Sequence, residues 1–455
     1  RILKGSTLIE AGFVLMADVK NSDLCPGFVL VEGDTITQLG EGPPPSKLAE
    51  GVDGHIQAPE MAVLPGLINA HVHLFQSFVR GLADDRPLLS WLEEIVWPIF
   101  EHMTAEDVYL ASMLSIVENI RGGATAIEDN QYGHVDPASD DAVLRAAEES
   151  GIRYLMARGW ADTNYLPALM ESPDRILGEV DRLYKAWHGS SNGRIRVGLG
   201  PLIPWGCSQE TLTRTLEYAL DRGLTMQMHV AETRAEVKMS LASHGQRHVE
   251  WLDEIGVLTP SIQLVHGVWL DDHEIVRVAE AGASVVHCPA SNMFLASGIA
   301  PIARMQQHGI PVALGTDGQA CNCGHEMLDI LKLTANLQKV AAQDATIMPP
   351  QEILAMACRD GAIALGQPGL IGSLEPGMRA DLILVDLSSS RLLPGGDVGS
   401  LLVNWARSED VDTVMVDGEI LMRHGRITVV DEENLVERAR QARRALWRRA
   451  GVDSP

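Results

Sequence analysis

Short apolar runs rich in β-branched residues alternate with amphipathic segments through the middle of the chain. The amphipathic segments carry apolar residues at helical spacing, for example at residues 140–151, 209–222, 272–281 and 300–308. The apolar runs number eight, at residues 63–70, 125–130, 152–158, 195–201, 225–232, 262–267, 284–289 and 311–318. Eight successive β/α repeats predict a (β/α)8 barrel, the TIM-barrel architecture.

The two ends of the chain follow a different pattern, because their strand-like runs are not separated by helices. Residues 27–34 and 35–40 meet at a Gly-Asp turn and predict a hairpin. Strand-like runs return near the other end, at residues 379–386 and 411–418. The simplest arrangement joins both ends of the chain into one small β domain beside the barrel.

We therefore predict an α/β protein with three parts. Residues 60–367 form the (β/α)8 barrel, which binds a metal for the reasons given below. Residues 1–59 and 368–430 form a composite β-sandwich domain. Residues 431–455 form a C-terminal helix and tail, and the helix is rich in Arg. Its charge is typical of a solvated helix face.

The predicted barrel strands end in residues that bind metals or move protons. In such barrels, catalytic groups lie at the carboxyl ends of the strands. The residues at these ends are His71 and His73, His229 and Glu232, His266, His287, and Asp317. His71 and His73 are two residues apart, so both side chains leave one side of a strand. By themselves they are equally typical of hydrogen-bonded polar residues, but three imidazoles and a carboxylate complete a zinc shell that retains a water.

Glu232 and His266 have two interpretations each, and His287 has one. Glu232 lies three residues after His229 and could move a proton between the metal-bound water and a leaving amine. Its position alone favours a helix cap or a surface ion pair. His266 could hydrogen-bond the hydroxide or the developing oxygen, or it could orient another side chain. His287 has no distinct role, and a buried structural histidine is the better interpretation.

The charge excludes several classes of partner. The 36 basic and 61 acidic residues give a formal net charge of −25, which argues against binding to nucleic acids or anionic membranes. No apolar run approaches the length needed to span a bilayer, and the first residues show no signal-peptide pattern. The six cysteines, including the Cys321–Cys323 pair, are expected to be reduced thiols. We therefore expect a cytoplasmic protein.

Several motifs together identify a resemblance to a known family. They lie at residues 64–73, 229–232, 266, 287–292, 295–301, 315–318 and 377–382. With these motifs, the chain resembles the amidohydrolase superfamily over nearly its whole length. In particular, it resembles the heterocycle aminohydrolases, which include guanine, S-adenosylhomocysteine/methylthioadenosine, 8-oxoguanine and pterin deaminases and the triazine hydrolases.

The resemblance implies a metal site and a reaction. One divalent metal ion per chain, zinc or alternatively iron, is bound by His71, His73, His229 and Asp317. The implied catalytic residues are Glu232 as proton shuttle, His266 as support for the attacking water, and Asp317. Members with two metals carry a bridging Lys at the fourth strand, and residues 199–202 contain none, so a single metal is expected. We also expect a homo-oligomer.

The implied reaction is hydrolytic deamination of a small amino-substituted N-heterocycle, such as a purine, pterin or triazine. It breaks a C–N bond of a cyclic amidine. The alternatives are a nucleoside deaminase of the S-adenosylhomocysteine/methylthioadenosine type and a triazine hydrolase that releases chloride or an alkylamine. A further alternative is a catalytically silent barrel that binds a ligand.

The substrate-binding residues follow from separate similarities. Trp91 and Arg158 lie in segments that resemble the nucleoside deaminases, although Leu202 replaces the His that those enzymes usually carry at the fourth strand. Gln76 lies three residues after the second metal-binding His, as in guanine-type members, and its amide could bind a ring edge. Without a ligand, it would be a polar residue at the start of a helix. The predicted set is completed by Trp205, which could stack on a ring or pack in the core, and Asn322.

Overall fold

The computed structural model describes residues 5–17, 22–82, 84–322 and 324–452. Residues 1–4, in which the sequence shows no signal-peptide pattern, lie outside the described residues. The same is true of Cys323, one of the two cysteines of the predicted thiol pair. The strands are β1 (Ser6–Val14), β2 (Gly27–Glu32), β3 (Thr35–Glu41), β4 (Gly54–Pro65), β5 (Leu67–Val72), β6 (Ala124–Gln131), β7 (Arg153–Trp160), β8 (Ile195–Pro201), β9 (Met226–Val230), β10 (Ile262–His266), β11 (Ser284–His287), β12 (Val312–Leu314), β13 (Leu382–Asp386), β14 (Val411–Val416), β15 (Glu419–Arg423) and β16 (Arg426–Ile427).

The predicted barrel is confirmed. Strands β5 to β12 pair in parallel and in chain order. The first and last strands meet where the amide of Asp317, just past β12, donates to the carbonyl of His71 at 2.9 Å. Asn69 reinforces this closure, because its amide nitrogen donates to Thr316 Oγ1 at 2.8 Å. The closure places the ends of β5 and β12 side by side.

Helices connect the barrel strands and cover the outside of the barrel. The α-helices are Ser46–Ala49, Leu88–Trp91, Trp97–Phe100, Ala105–Arg121, Ser139–Ser150, Pro173–Trp187, Ser190–Gly193, Gln209–Arg222, Arg234–His244, His248–Glu254, Asp272–Ala281, Pro289–Phe294, Ile302–Gln307, Gln319–Asn322, Met327–Ala342, Pro350–Ala355, Gly361–Ala364, Val398–Asn404 and Glu432–Arg449. Short 3-10 helices lie at Leu74–Val79, Pro167–Leu169, Pro204–Gly206 and Ser408–Asp410, and π-helical turns at Leu92–Val96 and Met356–Asp360. Among the described helices, none is long and apolar enough to cross a membrane.

The two ends of the chain form the second domain. Its strands belong to one sheet of order β16-β15-β14-β13-β4-β1-β2-β3, where the sequence predicts a sandwich. The sheet curves back on itself, because the amide of Ile36 donates to the carbonyl of Met378 at 2.9 Å and that of Ala380 to Asp34 at 2.9 Å. Both halves therefore enclose one apolar core, to which β1, β2, β4, β13 and β14 contribute.

The strand predicted at residues 63–70 is divided between the two sheets. Strand β4 pairs with β13 as far as Pro65, so the composite sheet extends past residue 59. Strand β5 begins at Leu67, and Gly66 lies between them. A Cβ atom at Gly66 would lie 1.9 Å from Thr125 Oγ1, so only glycine fits where the chain passes from one sheet to the other.

A buried ion-pair cluster joins the barrel to the composite sheet. Arg153, at the start of β7, is 1% exposed. Its Nε donates to Asp381 Oδ2 at 2.7 Å, and its Nη2 donates to Asp417 Oδ1 at 2.5 Å. The amide of Asp417 also donates to Asp381 Oδ1 at 2.9 Å. Arg153 therefore pairs with two buried carboxylates across the domain boundary, and Arg194 and Arg379 each lie 3.8 Å from Asp417 as well.

We expect Arg153→Met to lower the free energy of unfolding by about 3–5 kcal/mol, because it leaves the buried Asp381 without its cation and removes the closest cation from Asp417. Chemical denaturation followed by circular dichroism measures this loss. The control is Arg182→Met, which removes an exposed pair with Asp141 and should cost less than about 1 kcal/mol. Equal losses in the two variants would contradict the importance of this cluster.

Candidate active site

The predicted metal ligands come together at the carboxyl end of the barrel. His71 lies on β5, His73 directly follows it, His229 lies on β9, and Asp317 follows β12. The Nε2 atoms of His73 and His229 are 3.2 Å apart. Asp317 Oδ1 lies 3.4 Å from Nε2 of both His71 and His73. Four side chains that are distant in sequence therefore turn their donor atoms toward one point.

Hydrogen bonds fix the same tautomer in all three imidazoles. His73 Nδ1 donates to the carbonyl of Asn130 at 2.8 Å, and His229 Nδ1 donates to the carbonyl of Leu202 at 2.7 Å. His71 Nδ1 donates to the side-chain oxygen of Gln227 at 2.6 Å. Each Nδ1 therefore holds the proton, and each Nε2 offers its lone pair to the shared point.

His266 has the opposite tautomer. The side-chain amide nitrogen of Asn292 lies 3.0 Å from His266 Nδ1, and the two carboxylates that face Nε2 favour a proton on that nitrogen. That proton faces two carboxylates, with Nε2 3.6 Å from Glu232 Oε2 and 3.9 Å from Asp317 Oδ2. Although the donor atoms of His71, His229 and His266 cluster within 4.8 Å, this tautomer makes His266 a hydrogen-bond donor rather than a ligand.

Burial adjusts the charges of these groups. It combines with the nearby His71 to lower the pKa of His229 to about 3 and to hold that of His73 well below its ordinary value. Burial alone would raise the pKa of Asp317, but the hydrogen bond and charge of His71 bring it well below the ordinary range. His73 and His229 are therefore neutral and the carboxylate is ionised, as metal ligands must be.

The donor set fits one divalent metal ion. Three imidazole nitrogens and one carboxylate oxygen converge in a buried, preformed arrangement, and His71, His73 and Asp317 hold their donor atoms within 4.8 Å of one another. Each imidazole is oriented by the hydrogen bond at its Nδ1 atom, as in established metal sites. Nitrogen and oxygen donors of this kind suit zinc or another first-row metal.

Glu232 lies beside this cluster and is 3% exposed. Ser297 Oγ donates to its Oε1 at 3.1 Å, and His266 faces its other oxygen. Burial raises the pKa of Glu232 well above its ordinary value, and the nearby carboxylates of Glu236 and Asp317 raise it further. A buried carboxyl group that holds a proton close to the metal ligands suits proton transfer better than a helix cap or a surface ion pair.

The cluster forms the floor of a narrow pocket that is partly open to solvent. Three of the predicted substrate-binding residues, Gln76, Trp91 and Trp205, line it. Its other walls are mostly apolar or aromatic and include Leu88, Leu92, Tyr132, Tyr165, Leu202, Ile203, Leu295 and Cys321. The motifs predict none of these residues as a substrate contact, although Tyr132 directly follows the end of β6 and could have been found by its position.

Gln76 is held in a fixed orientation. Its Nε2 donates to the hydroxyl of Tyr132 at 2.9 Å, while its buried Oε1 has no hydrogen-bond partner in the described structure. A Cβ atom at Gly318 would lie 1.8 Å from that oxygen. The glycine after Asp317 therefore leaves the space in which the amide of Gln76 sits.

Two of the predicted substrate-binding residues lie outside the cavity. Arg158 is buried, and its guanidinium donates to Asp140 at 3.1 Å and to Glu171 at 2.6 Å. Asn322 donates to the carbonyls of Thr316 at 2.6 Å and Gly324 at 2.8 Å. Arg158 is thus neutralised inside the protein, and Asn322 shapes the loop after Asp317 rather than a wall of the cavity.

His287 is fully buried at the end of β11. Burial lowers its pKa to about 3, so it is neutral. Its ring nitrogens do not belong to the clusters that could hold a metal among the described residues. These observations agree with the structural interpretation of this histidine.

We expect Glu232→Gln to stabilise the metal-free protein at neutral and higher pH. The pKa of Glu232 is raised in the folded state, so the folded protein keeps a proton that the unfolded chain releases above pH 4.5, and stability is lost as the pH rises. The gain from the substitution should grow between pH 5 and 8, by at most about 1.4 kcal/mol per pH unit.

Chemical denaturation of the metal-free proteins at several pH values measures this difference. The control is Glu179→Gln, which changes an exposed carboxylate paired with Arg182 and should show little dependence on pH. A gain for Glu232→Gln that stays constant across this range would contradict a protonated buried Glu232.

Comparisons with known proteins agree with this geometry. The model of the amidohydrolase family matches residues 62–421. The chain is 38% identical over 439 residues to the 5′-deoxyadenosine deaminase of Methanosarcina mazei, covering 96% of this chain and 97% of the relative. It is 39% identical over 411 residues to the 5-methylthioadenosine/S-adenosylhomocysteine deaminase of Moorella thermoacetica, covering 90% and 92%.

A solved structure agrees with these relatives. The zinc-bound adenosine deaminase of Xanthomonas campestris is 31% identical to this chain, with a TM-score of 0.90 over 97% of this chain and 98% of that one. The resemblance predicted from the motifs is confirmed by the family match and by the relatives. The chain therefore belongs to the amidohydrolase family, and it is a hydrolytic enzyme.

Proposed function

We propose that this enzyme hydrolytically deaminates an amino-substituted aromatic N-heterocycle, first of all a purine ring, and releases ammonia. The observation that carries the proposal is the position of Glu232. It is a buried carboxyl group between the metal-ligand cluster and His266, at the floor of an aromatic cavity. A protein that only binds a ligand needs no proton donor and acceptor at this point.

The metal site consists of His71, His73, His229 and Asp317. We propose that these residues hold one zinc ion per chain, with ferrous iron as the alternative. A divalent metal bound there lowers the pKa of a coordinated water to about 7 and supplies a nucleophile at neutral pH. The zinc-bound adenosine deaminase, which shares the fold over 97% of this chain, supports zinc.

Glu232 and Asp317 move the protons of the reaction. With a cation in the site, Glu232 is ionised, and its carboxylate accepts a proton from the attacking water and delivers it to the ring nitrogen next to the carbon under attack. The water oxygen forms a bond to that carbon, which becomes tetrahedral. The proton that remains on the water-derived oxygen passes through Asp317 to the amino group, the C–N bond breaks, and ammonia leaves as the carbon becomes a carbonyl.

His266 and Asp317 act on the attacking water. The Nε2 proton of His266 points into the site and stabilises negative charge that develops on the water oxygen. Asp317 Oδ2, which faces this proton, accepts a proton from the same water. The fixed tautomer of His266 means that this donor is in place before the substrate binds.

The cavity walls suit a flat ring. Trp91, Tyr165 and Trp205 supply aromatic surfaces, which bind planar heterocycles by stacking. The unpartnered oxygen of Gln76 can accept a hydrogen bond from the N–H of a ring edge. We therefore assign Gln76, Trp91 and Trp205 to substrate binding.

A nucleoside with an apolar 5′ group is the second candidate substrate. The relatives named above are deaminases of 5′-deoxyadenosine and of 5-methylthioadenosine/S-adenosylhomocysteine. The apolar side chains of Leu88, Leu92 and Ile203 in the cavity wall would contact a deoxy or thioether group without leaving a polar atom unpaired.

We expect ammonia release from a purine-type substrate by the zinc-loaded enzyme. A coupled ammonia assay should compare 5′-deoxyadenosine, 5′-methylthioadenosine, S-adenosylhomocysteine, guanine, 8-oxoguanine, isoxanthopterin and melamine. With the best substrate, Glu232→Gln should lower kcat by about 100- to 10,000-fold while zinc content stays unchanged. Ligand binding without ammonia release would instead indicate a silent barrel, and release of chloride or alkylamine from substituted triazines would indicate a triazine hydrolase.

We expect Gly318→Ala to raise KM more than it lowers kcat, because the added Cβ displaces the amide of Gln76. Steady-state kinetics with the best substrate, together with zinc analysis, measures the effect. Gly178→Ala is the control, since a Cβ at Gly178 meets no atom within 4 Å. An unchanged KM in Gly318→Ala would contradict the assignment of Gln76 to substrate binding.

A further inference from the structure

A polar layer lies inside the barrel beneath the metal ligands. It consists of Glu128 on β6, Gln227 on β9 and Gln263 on β10, all at most 1% exposed. Gln227 lies two residues before His229 and therefore on the same inward face of β9. Branched apolar side chains usually fill this part of a TIM barrel, so three polar side chains here require another explanation than packing.

These residues connect His71 to Glu128 by a continuous chain of hydrogen bonds. His71 Nδ1 donates to Gln227 Oε1 at 2.6 Å. Gln227 Nε2 donates to Gln263 Oε1 at 2.9 Å, and Gln263 Nε2 donates to Glu128 Oε1 at 3.0 Å. Every donor in the chain points away from the metal site, and the carboxyl group of Glu128 is the final acceptor.

Two backbone carbonyls hold the amides in this orientation. Gln227 Nε2 also donates to the carbonyl of Ala70 at 2.8 Å. Gln263 Nε2 also donates to the carbonyl of Ala364 at 2.6 Å, in the short helix Gly361–Ala364. The opposite orientation would turn an amide N–H toward His71 Nδ1, and it would place the imidazole proton on Nε2, where no metal can bind.

His71 differs in this respect from the other two imidazole ligands. His73 and His229 are oriented by the backbone carbonyls of Asn130 and Leu202, which no substitution removes. His71 alone of the three is oriented by a side chain. Its tautomer and basicity therefore depend on the identity of residues that do not touch the metal or the substrate.

We propose that Gln227, Gln263 and Glu128 are positioning residues that set the metal affinity of His71. The proposal rests on the metal-dependent function proposed above. A hydrogen-bond acceptor behind a ligating histidine fixes its ring and raises its basicity. Hydrogen bonds that point in one direction polarise one another, so the terminal carboxyl group strengthens the acceptor that His71 contacts.

The carboxyl group keeps this role in either protonation state. Burial raises the pKa of Glu128 well above its ordinary value, and the amide of Gln263 and the charge of Arg196 partly oppose this effect. Oε1 accepts the hydrogen bond from Gln263 whether or not Oε2 is protonated. The chain therefore depends on an oxygen atom at this position rather than on one value of the pH.

We expect Glu128→Met to weaken zinc binding by about 10- to 100-fold, the usual effect of losing an outer hydrogen-bond partner of a metal ligand. The zinc dissociation constant is measured on the full metal-stripped chain, by competition with a chromogenic chelator. Glu128→Gln retains the terminal oxygen and should recover most of the affinity. If Glu128→Met does not fold, Gln263→Met interrupts the same chain and should weaken zinc binding equally.

A double-mutant cycle separates this relay from general destabilisation. Once Gln227→Met has interrupted the chain, adding Glu128→Met should cause no further loss of zinc affinity. Glu274→Met is the control, because Glu274 is equally buried but pairs with Arg247 outside the barrel interior. It should leave the zinc dissociation constant unchanged.

Three results would overturn the proposal: unchanged zinc affinity in Glu128→Met, additive losses in the cycle, or no recovery in Glu128→Gln. These results do not depend on turnover. A wild-type protein that binds zinc but releases no ammonia would refute the proposed function alone. A wild-type deaminase whose zinc affinity is insensitive to Glu128 would refute the relay alone.

Discussion

The site depends on which nitrogen of each buried imidazole carries the proton. A neutral imidazole has one donor and one acceptor nitrogen, and only the acceptor can bind a metal. In His71, His73 and His229, an oxygen atom behind the ring accepts a hydrogen bond from Nδ1. In His266, the side-chain amide of Asn292 occupies that position. Four similar side chains at the mouth of one barrel are thereby divided into three proposed metal ligands and one proposed hydrogen-bond donor.

The same burial that creates this division works against stability. Glu232 is held among other carboxylates with little access to water, and such a group is costly in a folded protein. At the domain boundary, the guanidinium of Arg153 offsets the charge of the buried carboxylates of Asp381 and Asp417. At the active site no cation of the described chain plays that role, and the proposed metal would supply it. The Arg153 cluster and the proposed metal site therefore lie at opposite ends of the barrel.

Much of this arrangement could be predicted from the sequence, because strand periodicity alone places His71, His73, His229 and Asp317 at one end of a barrel. Arg158 could not be placed, since its partners lie on a helix and a loop whose packing the sequence does not reveal. The transition between the two sheets at Gly66 could not be predicted either. The apolar run there continues without a break, and only contact with Thr125 shows where one sheet ends.

The continuity of β4 and β5 has a consequence for local unfolding. Strand β4 is hydrogen-bonded between β1 and β13 in the composite sheet, and one glycine separates it from the strand that carries His71. Strand β5, which carries His71, cannot separate from the barrel without disturbing the hydrogen bonds of β4 in that sheet. Segments coupled in this way open as one cooperative unit, so their amide hydrogens exchange with solvent together. The composite domain is distant from the active site, but its pairing with β4 limits how often β5 opens to solvent.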